Sequence, residues 1–336
     1  MSWFGNFENE QGFFESLCYK VIKMGQMPKH VAVIMDGNRR YAKKENISRK
    51  EGHTAGFDKL AQVLYWCHEL DIPEVTCYAF SIENFKRSKQ EVDTLINIFN
   101  DKLAQLMKEK DRLMKYGVCI RFVGDISLFD LKIKKSVADV VEMTKSNNKC
   151  FLNIAMAYTS RDEIAQAVRE VCKGVKDGLI KESDITESLL ESCFYTNHCK
   201  PVDVLIRTSG EVRLSDFLLW QTSFSMLCFI DAYWPDLSLW HFIYCILKFQ
   251  IGFDSLQNAK ELSELKESRS QLDSDLQNAF IELKQNMNSD VENQELLQAV
   301  AKEYSKKRIV RQTLFLNRLE EKRKEQLVEW FKGEAS

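Results

Sequence analysis

His30-Val31-Ala32-Val33-Ile34-Met35 is apolar after its first residue and rich in β-branched side chains, and Asp36-Gly37-Asn38-Arg39-Arg40-Tyr41 follows it at once. Such a run, stopping at Asp-Gly and passing into a helical pattern, reads as a buried strand feeding a helix. The same change recurs along the chain. Further strand candidates lie at 74–80, 118–123, 151–157, 202–207 and 226–230, with helical patterns near 53–70, 88–116, 130–147, 160–178, 183–194 and 238–250. Apolar strands alternating with helices predict an α/β fold, a mostly parallel central sheet of about six strands flanked by helices. Ligands in such sheets bind beyond the carboxyl ends of the strands, so the chemistry is sought there.

Composition narrows the class. The 336 residues are 45% hydrophobic and 29% charged, which excludes general disorder. Only 13 glycines and 4 prolines argue against an all-β chain of many tight turns. Lys+Arg (47) nearly balances Asp+Glu (49), so no global field draws the protein to nucleic acid. The 10 cysteines lie in apolar runs without a CxxC pair, which predicts core thiols in a reducing compartment. His198-Cys199 lacks partners at zinc-ligand spacing. No run approaches the length of a membrane span, and the N-terminus does not read as a signal peptide.

Two flanking segments differ from the centre, so the expected division is 1–27, 28–250 and 251–336. In the first, Phe13/Phe14, Leu17/Cys18 and Val21/Ile22 recur every four residues behind Trp3, Phe4 and Phe7, the pattern of an amphipathic helix. Its greasy face fits either its own globule or a membrane surface. The last segment is charged and proline-free, with narrow stripes through Leu262, Leu265, Leu272 and Leu276, and through Leu314, Phe315, Leu319, Leu327 and Trp330. Helices of that kind need a partner surface to pack on.

Three strand ends carry the polar residues. Asp36-Gly37-Asn38-Arg39-Arg40 combines a helix start and arginines suited to an anion with a carboxylate suited to a divalent metal bridging to diphosphate oxygens. Ser81-Ile82-Glu83-Asn84-Phe85-Lys86-Arg87 ends the second strand, and Arg207-Thr208-Ser209-Gly210-Glu211-Val212-Arg213-Leu214-Ser215 ends the fifth. Together they read as one pocket for two multiply charged anions and a metal ion. No nucleotide-binding glycine motif accompanies them.

These stretches, with Gly52-His53, Tyr78-Ala79-Phe80, Trp220-Gln221 and Trp234-Pro235-Asp236, resemble the cis-prenyltransferase family over residues 27–250. That family includes undecaprenyl and dehydrodolichyl diphosphate synthases. The whole chain is similar to the catalytic subunits of its animal members, which act in dolichol synthesis for protein glycosylation.

The resemblance implies repeated cis addition of isopentenyl diphosphate to an allylic primer such as farnesyl diphosphate, with Mg2+ as cofactor. Asp36 would hold the metal, and Gly37, Asn38, Arg39, Arg40 and Arg49 the allylic diphosphate. Arg207, Arg213 and Ser215 would hold isopentenyl diphosphate, with Arg87 between the two. His53, Ser81 and Asn84, with Asp36 and Asn38, would stand near the reacting carbons. An apolar tunnel between sheet and helices would take the product.

Two departures from the family pattern bear on assembly. Met226 stands where homodimeric relatives carry a glutamate that assists the metal, and Phe249-Gln250-Ile251-Gly252 replaces their Arg-x-Gly element. The resemblance therefore implies a non-catalytic partner like the Nogo-B receptor that supplies Arg-x-Gly, and peripheral attachment at the cytosolic side of the endoplasmic reticulum membrane. A non-catalytic scaffold subunit is the alternative; retention of Asp36, Arg40, Arg207 and Arg213 weighs against it. A phosphomonoester hydrolase would need a nucleophile or second carboxylate that the strand ends do not clearly offer.

Overall fold

The computed structural model describes residues 12–286 and 294–333. Six strands form: β1 (His30–Ile34), β2 (Glu74–Ser81), β3 (Val118–Val123), β4 (Cys150–Tyr158), β5 (Val204–Arg207) and β6 (Met226–Phe229). They make one sheet in the order β3-β4-β2-β1-β5-β6, and every neighbouring pair is parallel. The expectation of a helix-flanked parallel sheet is met.

The helices are α1 (Phe13–Ile22), α2 (Asn38–Lys44), α3 (Arg49–Glu69), α4 (Lys89–Lys108), α5 (Lys110–Tyr116), α6 (Leu131–Thr144), α7 (Ser160–Lys176), α8 (Glu187–Cys193), α9 (Leu239–Asn286) and α10 (Gln294–Lys332). Local chemistry explains the starts. Ser48 and Glu51 form a capping box on α3, and the Ser88 side chain caps α4. The expected single helix over 88–116 breaks at Glu109 into α4 and α5. The helix expected to end near 250 instead continues to Asn286, since Gly252 alone does not stop it. Trp3, Phe4 and Phe7 lie outside the described residues.

The chain divides into two compact units. The first comprises Met1–Ser160, His198–Leu256 and Leu327–Ser336 and holds the sheet. One face of β1, β2 and β4 offers Val31, Val33, Val75, Cys77, Leu152 and Ile154 to a core shared with Leu60, Val63 and Trp66 of α3 and Leu103 and Leu106 of α4. Each large apolar side chain buried there contributes roughly 1.5–3 kcal/mol. The second unit comprises Arg161–Asn197 and Gln257–Gln326. In it, buried Asp184 takes a two-pronged contact from Arg311 at 2.7 Å, and Asp275 takes one from Arg308 at 3.0 Å. Losing one partner of such a pair strands a buried charge.

The opposite face of the first unit's sheet carries a polar row. His30 Nδ1 lies 2.7 Å from the Lys200 carbonyl, so it bears the proton, and Nε2 accepts from Thr76 Oγ1 at 2.7 Å. Asn153 Nδ2 donates to Glu74 at 2.8 Å and to Thr76 at 3.0 Å. Burial lowers the His30 pKa below the ordinary 6.5, although Glu74 and Asp203 pull it upward. The unfolded ring takes a proton near 6.5 and the folded ring only at lower pH. Stability from this group is therefore full above that value and falls as pH drops through the window beneath it. Urea unfolding at about pH 7.5 and about pH 5.5 should show a loss of up to about 1.4 kcal/mol per pH unit in the window. His30→Asn should flatten that slope; an unchanged slope would remove His30 as its cause.

Candidate active site

β1 delivers Asp36 to the carboxyl edge of the sheet, and Gly37 turns the chain into α2. Gly37 has φ 102°, and a Cβ there would fall 2.3 Å from Ser209 Oγ and 3.2 Å from the Tyr233 Cα. No other residue fits that turn. Gly56 of α3 plays the matching part, since a Cβ on it would stand 2.3 Å from Asn38 Oδ1. The Asp36 carbonyl accepts from Trp234 N at 2.9 Å and Thr208 Oγ1 at 2.8 Å, and the buried Trp234 indole donates to the Gly56 carbonyl at 2.6 Å. These bonds fix the backbone of Asp36 from two sides.

Around this turn lies a cleft of about 800 Å³ lined by Asp36, Gly37, Asn38, Arg39, Arg40, Arg49, His53, Arg87 and Arg213. Arg207 joins it from the end of β5. Its Nη2 donates to Asp36 Oδ2 at 2.8 Å and its Nη1 to Ser215 Oγ at 2.6 Å and to the Arg213 carbonyl. Arg40 reaches Asp36 Oδ1 at 3.4 Å and stands over the Tyr233 ring at 5.7 Å. The cluster that the three strand ends promised is assembled. Four expected residues stand outside the cleft lining itself: Arg207 and Ser215, tied to it through Asp36, and Ser81 and Asn84, which cap each other's turn, Asn84 Oδ1 accepting from Ser81 N at 3.0 Å.

Two carboxylates take a part that the sequence reading did not assign: Glu91, unread there, and Glu211, quoted in the fifth strand end without a role. Glu91 of α4 gathers three arginines, with Arg87 at 2.9 Å, Arg39 at 3.2 Å and Arg49 at 3.9 Å. Glu211 pairs with Arg40 at 3.3 Å and with Arg213. A dense cationic cluster needs internal counter-charge, and the i,i+4 spacing of Arg87 and Glu91 was the available signal.

Beside the charged cleft is an apolar cavity of about 100 Å³ between β1, β2, β4 and helices α3 and α4, lined by Phe57, Phe80, Leu95, Phe99 and Met156. Met35, Asn38 and His53 line both spaces. Farther along α3, toward the amino ends of the strands, a second apolar cavity of about 290 Å³ is lined by Leu64, Tyr65, Leu106, Leu113 and Leu152.

Comparison with known proteins identifies the family of the chain. Residues 34–253 match the family described as "Putative undecaprenyl diphosphate synthase". This chain belongs to that family. It is 54% identical over 275 residues to the human dehydrodolichyl diphosphate synthase complex subunit DHDDS, covering 82% of each chain. It is 42% identical over 237 residues to a tritrans,polycis-undecaprenyl-diphosphate synthase (geranylgeranyl-diphosphate specific) of Thermococcus kodakarensis, covering 70% of this chain and 89% of that one. The fold matches lavandulyl diphosphate synthase of Lavandula x intermedia with TM-score 0.63 and 30% identity, over 67% of this chain and 95% of that one. The chain is thus a cis-prenyltransferase.

Within this cis-prenyltransferase the cleft sets the state of His53. Burial first, then the Arg87 and Arg39 charges, hold its pKa below the ordinary 6.5, so the ring is neutral near pH 7. Near its upper edge, β2 is bulged against β4: Tyr78 pairs with Ala155, Phe80 with Met156 and Ser81 with Tyr158. Such bulges re-aim side chains, here those at the strand ends. Met226 opens β6, and its methyl fills the space where a Cβ on Gly252 of α9 would stand. The contacts at Gly37 yield a direct test. Gly37→Ala should destabilise the fold by about 1–3 kcal/mol and lower turnover, because the Asp36 turn must shift. Urea unfolding and turnover measured together check this; an unperturbed, fully active variant would refute the account of the turn.

Proposed function

We propose that this chain is the catalytic subunit of a dehydrodolichyl diphosphate synthase, elongating farnesyl diphosphate with isopentenyl diphosphate to make a long polyprenyl diphosphate for dolichol and protein glycosylation. The observation that carries the reading is the shared lining of the two spaces: an arginine-rich cleft meets an apolar cavity through Met35, Asn38 and His53. A molecule with a diphosphate head and a prenyl tail matches that pair. In this reading Gly37, Asn38, Arg39, Arg40 and Arg49 hold the allylic diphosphate, and Arg207, Arg213 and Ser215 hold isopentenyl diphosphate, with Arg87 between them. The arginines stabilise charge developing on the departing diphosphate. Asn38 orients the allylic group, while Ser81 and Asn84 shape the rim over the reacting carbons. Neutral His53 is an acceptor for the proton released as each new double bond forms.

Magnesium fits the donor set only together with substrate. Among the described residues no cluster of three His, Cys, Asp or Glu side chains could hold a metal. Asp36 nevertheless offers a partly exposed carboxylate at the cleft, although both its oxygens are paired with arginines, Oδ1 with Arg40 and Oδ2 with Arg207. Mg2+ is commonly bound by one or two carboxylates and substrate phosphates. Asp36 would therefore hold it against diphosphate oxygens, where the ion neutralises leaving-group charge.

The partner and the membrane belong to the same reading. Gln250 donates to the Ile22 carbonyl at 2.9 Å, so the segment in place of Arg-x-Gly is occupied within the chain. On α9, Trp240, Tyr244, Leu247 and Ile251 form an exposed apolar row, and β6 is an edge strand of the sheet. A non-catalytic homologous subunit resembling the Nogo-B receptor, bringing Arg-x-Gly, fits both features. α1 buries Tyr19 and Ile22 but exposes Leu17 and Val21, with Met24 just beyond. That outward stripe supports peripheral contact with the cytosolic side of the endoplasmic reticulum membrane. No described helix is long and apolar enough to cross a membrane. Retained Asp36, Arg40, Arg207 and Arg213 favour a catalytic subunit over a scaffold.

The test combines substrate and partner. The purified chain with farnesyl diphosphate, labelled isopentenyl diphosphate and Mg2+ should elongate weakly alone and at full rate once the Arg-x-Gly subunit is titrated in. Asp36→Ala in that complex should lose at least about 10²-fold in turnover. Because it also strands the buried Arg207 guanidinium, its thermal midpoint should fall, and turnover is compared at a temperature where the variant is still folded. Full activity without the partner would overturn the heteromer, and a near-normal Asp36→Ala enzyme would overturn the metal assignment.

A further inference from the structure

Tyr78, near the end of β2, touches the end of β4 and the loop after β5. Its hydroxyl lies 3.0 Å from the Tyr158 carbonyl and 3.4 Å from the Ser215 carbonyl, and the Ser81 side chain hydrogen-bonds to it. Its ring stacks on Phe217 at 4.4 Å with an interplanar angle of 13°. Phe217 is fully buried and also meets Tyr158 edge to face at 5.9 Å.

The segment these rings hold is strained. Ser215, Asp216 and Leu218 have φ of 49°, 60° and 48°, the left-handed region that side chains other than glycine rarely adopt. A backbone of that kind persists only where its surroundings over-determine it. Here the surroundings are Ser160, whose N–H donates to the Asp216 carbonyl and whose Oγ accepts from Leu219 N, both at 2.8 Å, and the Tyr78–Phe217 stack. The turn matters because Ser215 Oγ is what Arg207 Nη1 grips at 2.6 Å.

We propose that Tyr78 is a positioning residue for the isopentenyl diphosphate end of the site: its ring seats Phe217 and its hydroxyl steadies the Ser215 backbone, keeping Ser215 and Arg207 aimed together. The inference rests on the assignment of Arg207, Arg213 and Ser215 to that diphosphate. It makes Tyr78 a link between chemistry on β2 and substrate capture on the loop after β5.

Tyr78→Phe keeps the stack and removes only the hydroxyl, so folding is preserved. Assayed in the full chain with whatever partner gives full activity, it should raise the isopentenyl diphosphate KM about two- to tenfold. The allylic KM and the thermal midpoint should stay unchanged. Ser215→Ala, measured alongside, should raise the same KM. An isopentenyl KM unchanged in Tyr78→Phe but raised in Ser215→Ala overturns the role of Tyr78 and leaves the site assignment intact. An unchanged KM in both variants overturns the assignment and the inference with it. A fall in thermal midpoint with both KM values raised equally would reduce Tyr78 to a structural part, which also overturns the proposal.

Discussion

The ion pair between Asp36 and Arg207 is the contact on which the rest of the site depends. β1 and β5 are neighbours in the sheet, with Ile34 in register with Arg207, so the pair closes the gap just beyond their ends. The Arg207 side chain is only 4% exposed. A guanidinium withdrawn that far from water needs its outer donors matched: Asp36, Ser215 and the Arg213 carbonyl take Nη1 and Nη2, while Nε is left without a hydrogen-bond partner. The demand for matching fixes the loop after β5 against the turn after β1. The Gly37 turn and the bonds from Thr208 and Trp234 to the Asp36 backbone then follow as conditions for holding that carboxylate still.

Charge balance explains how so many arginines coexist. Arg39, Arg49 and Arg87 share Glu91, Arg40 and Arg213 share Glu211, and Arg207 and Arg40 share Asp36. The carboxylates hold the cations in place but do not cancel them, so the cleft stays positive inside a chain of net charge −2. Apolar walls at Phe57, Phe80 and Phe99 adjoin that cleft. Low-polarity surroundings strengthen the contacts of buried Arg207 relative to water, while Arg39, Arg40, Arg49 and Arg213 keep much of their hydration. On the proposed function, head-group capture and tail accommodation become two halves of one surface, joined at His53 and Asn38.

The fold was legible because its signals are local. Strand runs such as 31–34 are apolar throughout, and polar residues follow or end the first, second and fifth strands, so those strands announced both themselves and their polar ends. The arginines were legible for the same reason. Glu91 was not, because it lies in the first turn of a helix where an acid is expected for capping, and its three arginines come from three separate segments. Tyr78 was read as part of a strand and motif, since nothing in a linear pattern reveals a stack on Phe217 far along the chain. The continuation of α9 beyond 250 was hidden by a change of surroundings: Phe242, Ile246 and Phe249 are buried while Leu262 and Leu265 are exposed, which alters the apolar pattern without altering the helix.

The central claim is that one cleft holds two diphosphates on two different sets of arginines. Its most direct test compares Arg40→Ala with Arg213→Ala by steady-state kinetics, varying each substrate separately. Charge-assisted contacts are worth roughly 1.5–3 kcal/mol, so changes of about tenfold or more are expected. The account predicts that Arg213→Ala raises the KM for isopentenyl diphosphate more than that for the allylic substrate, and that Arg40→Ala does the reverse. Equal effects of both variants on both substrates would contradict it.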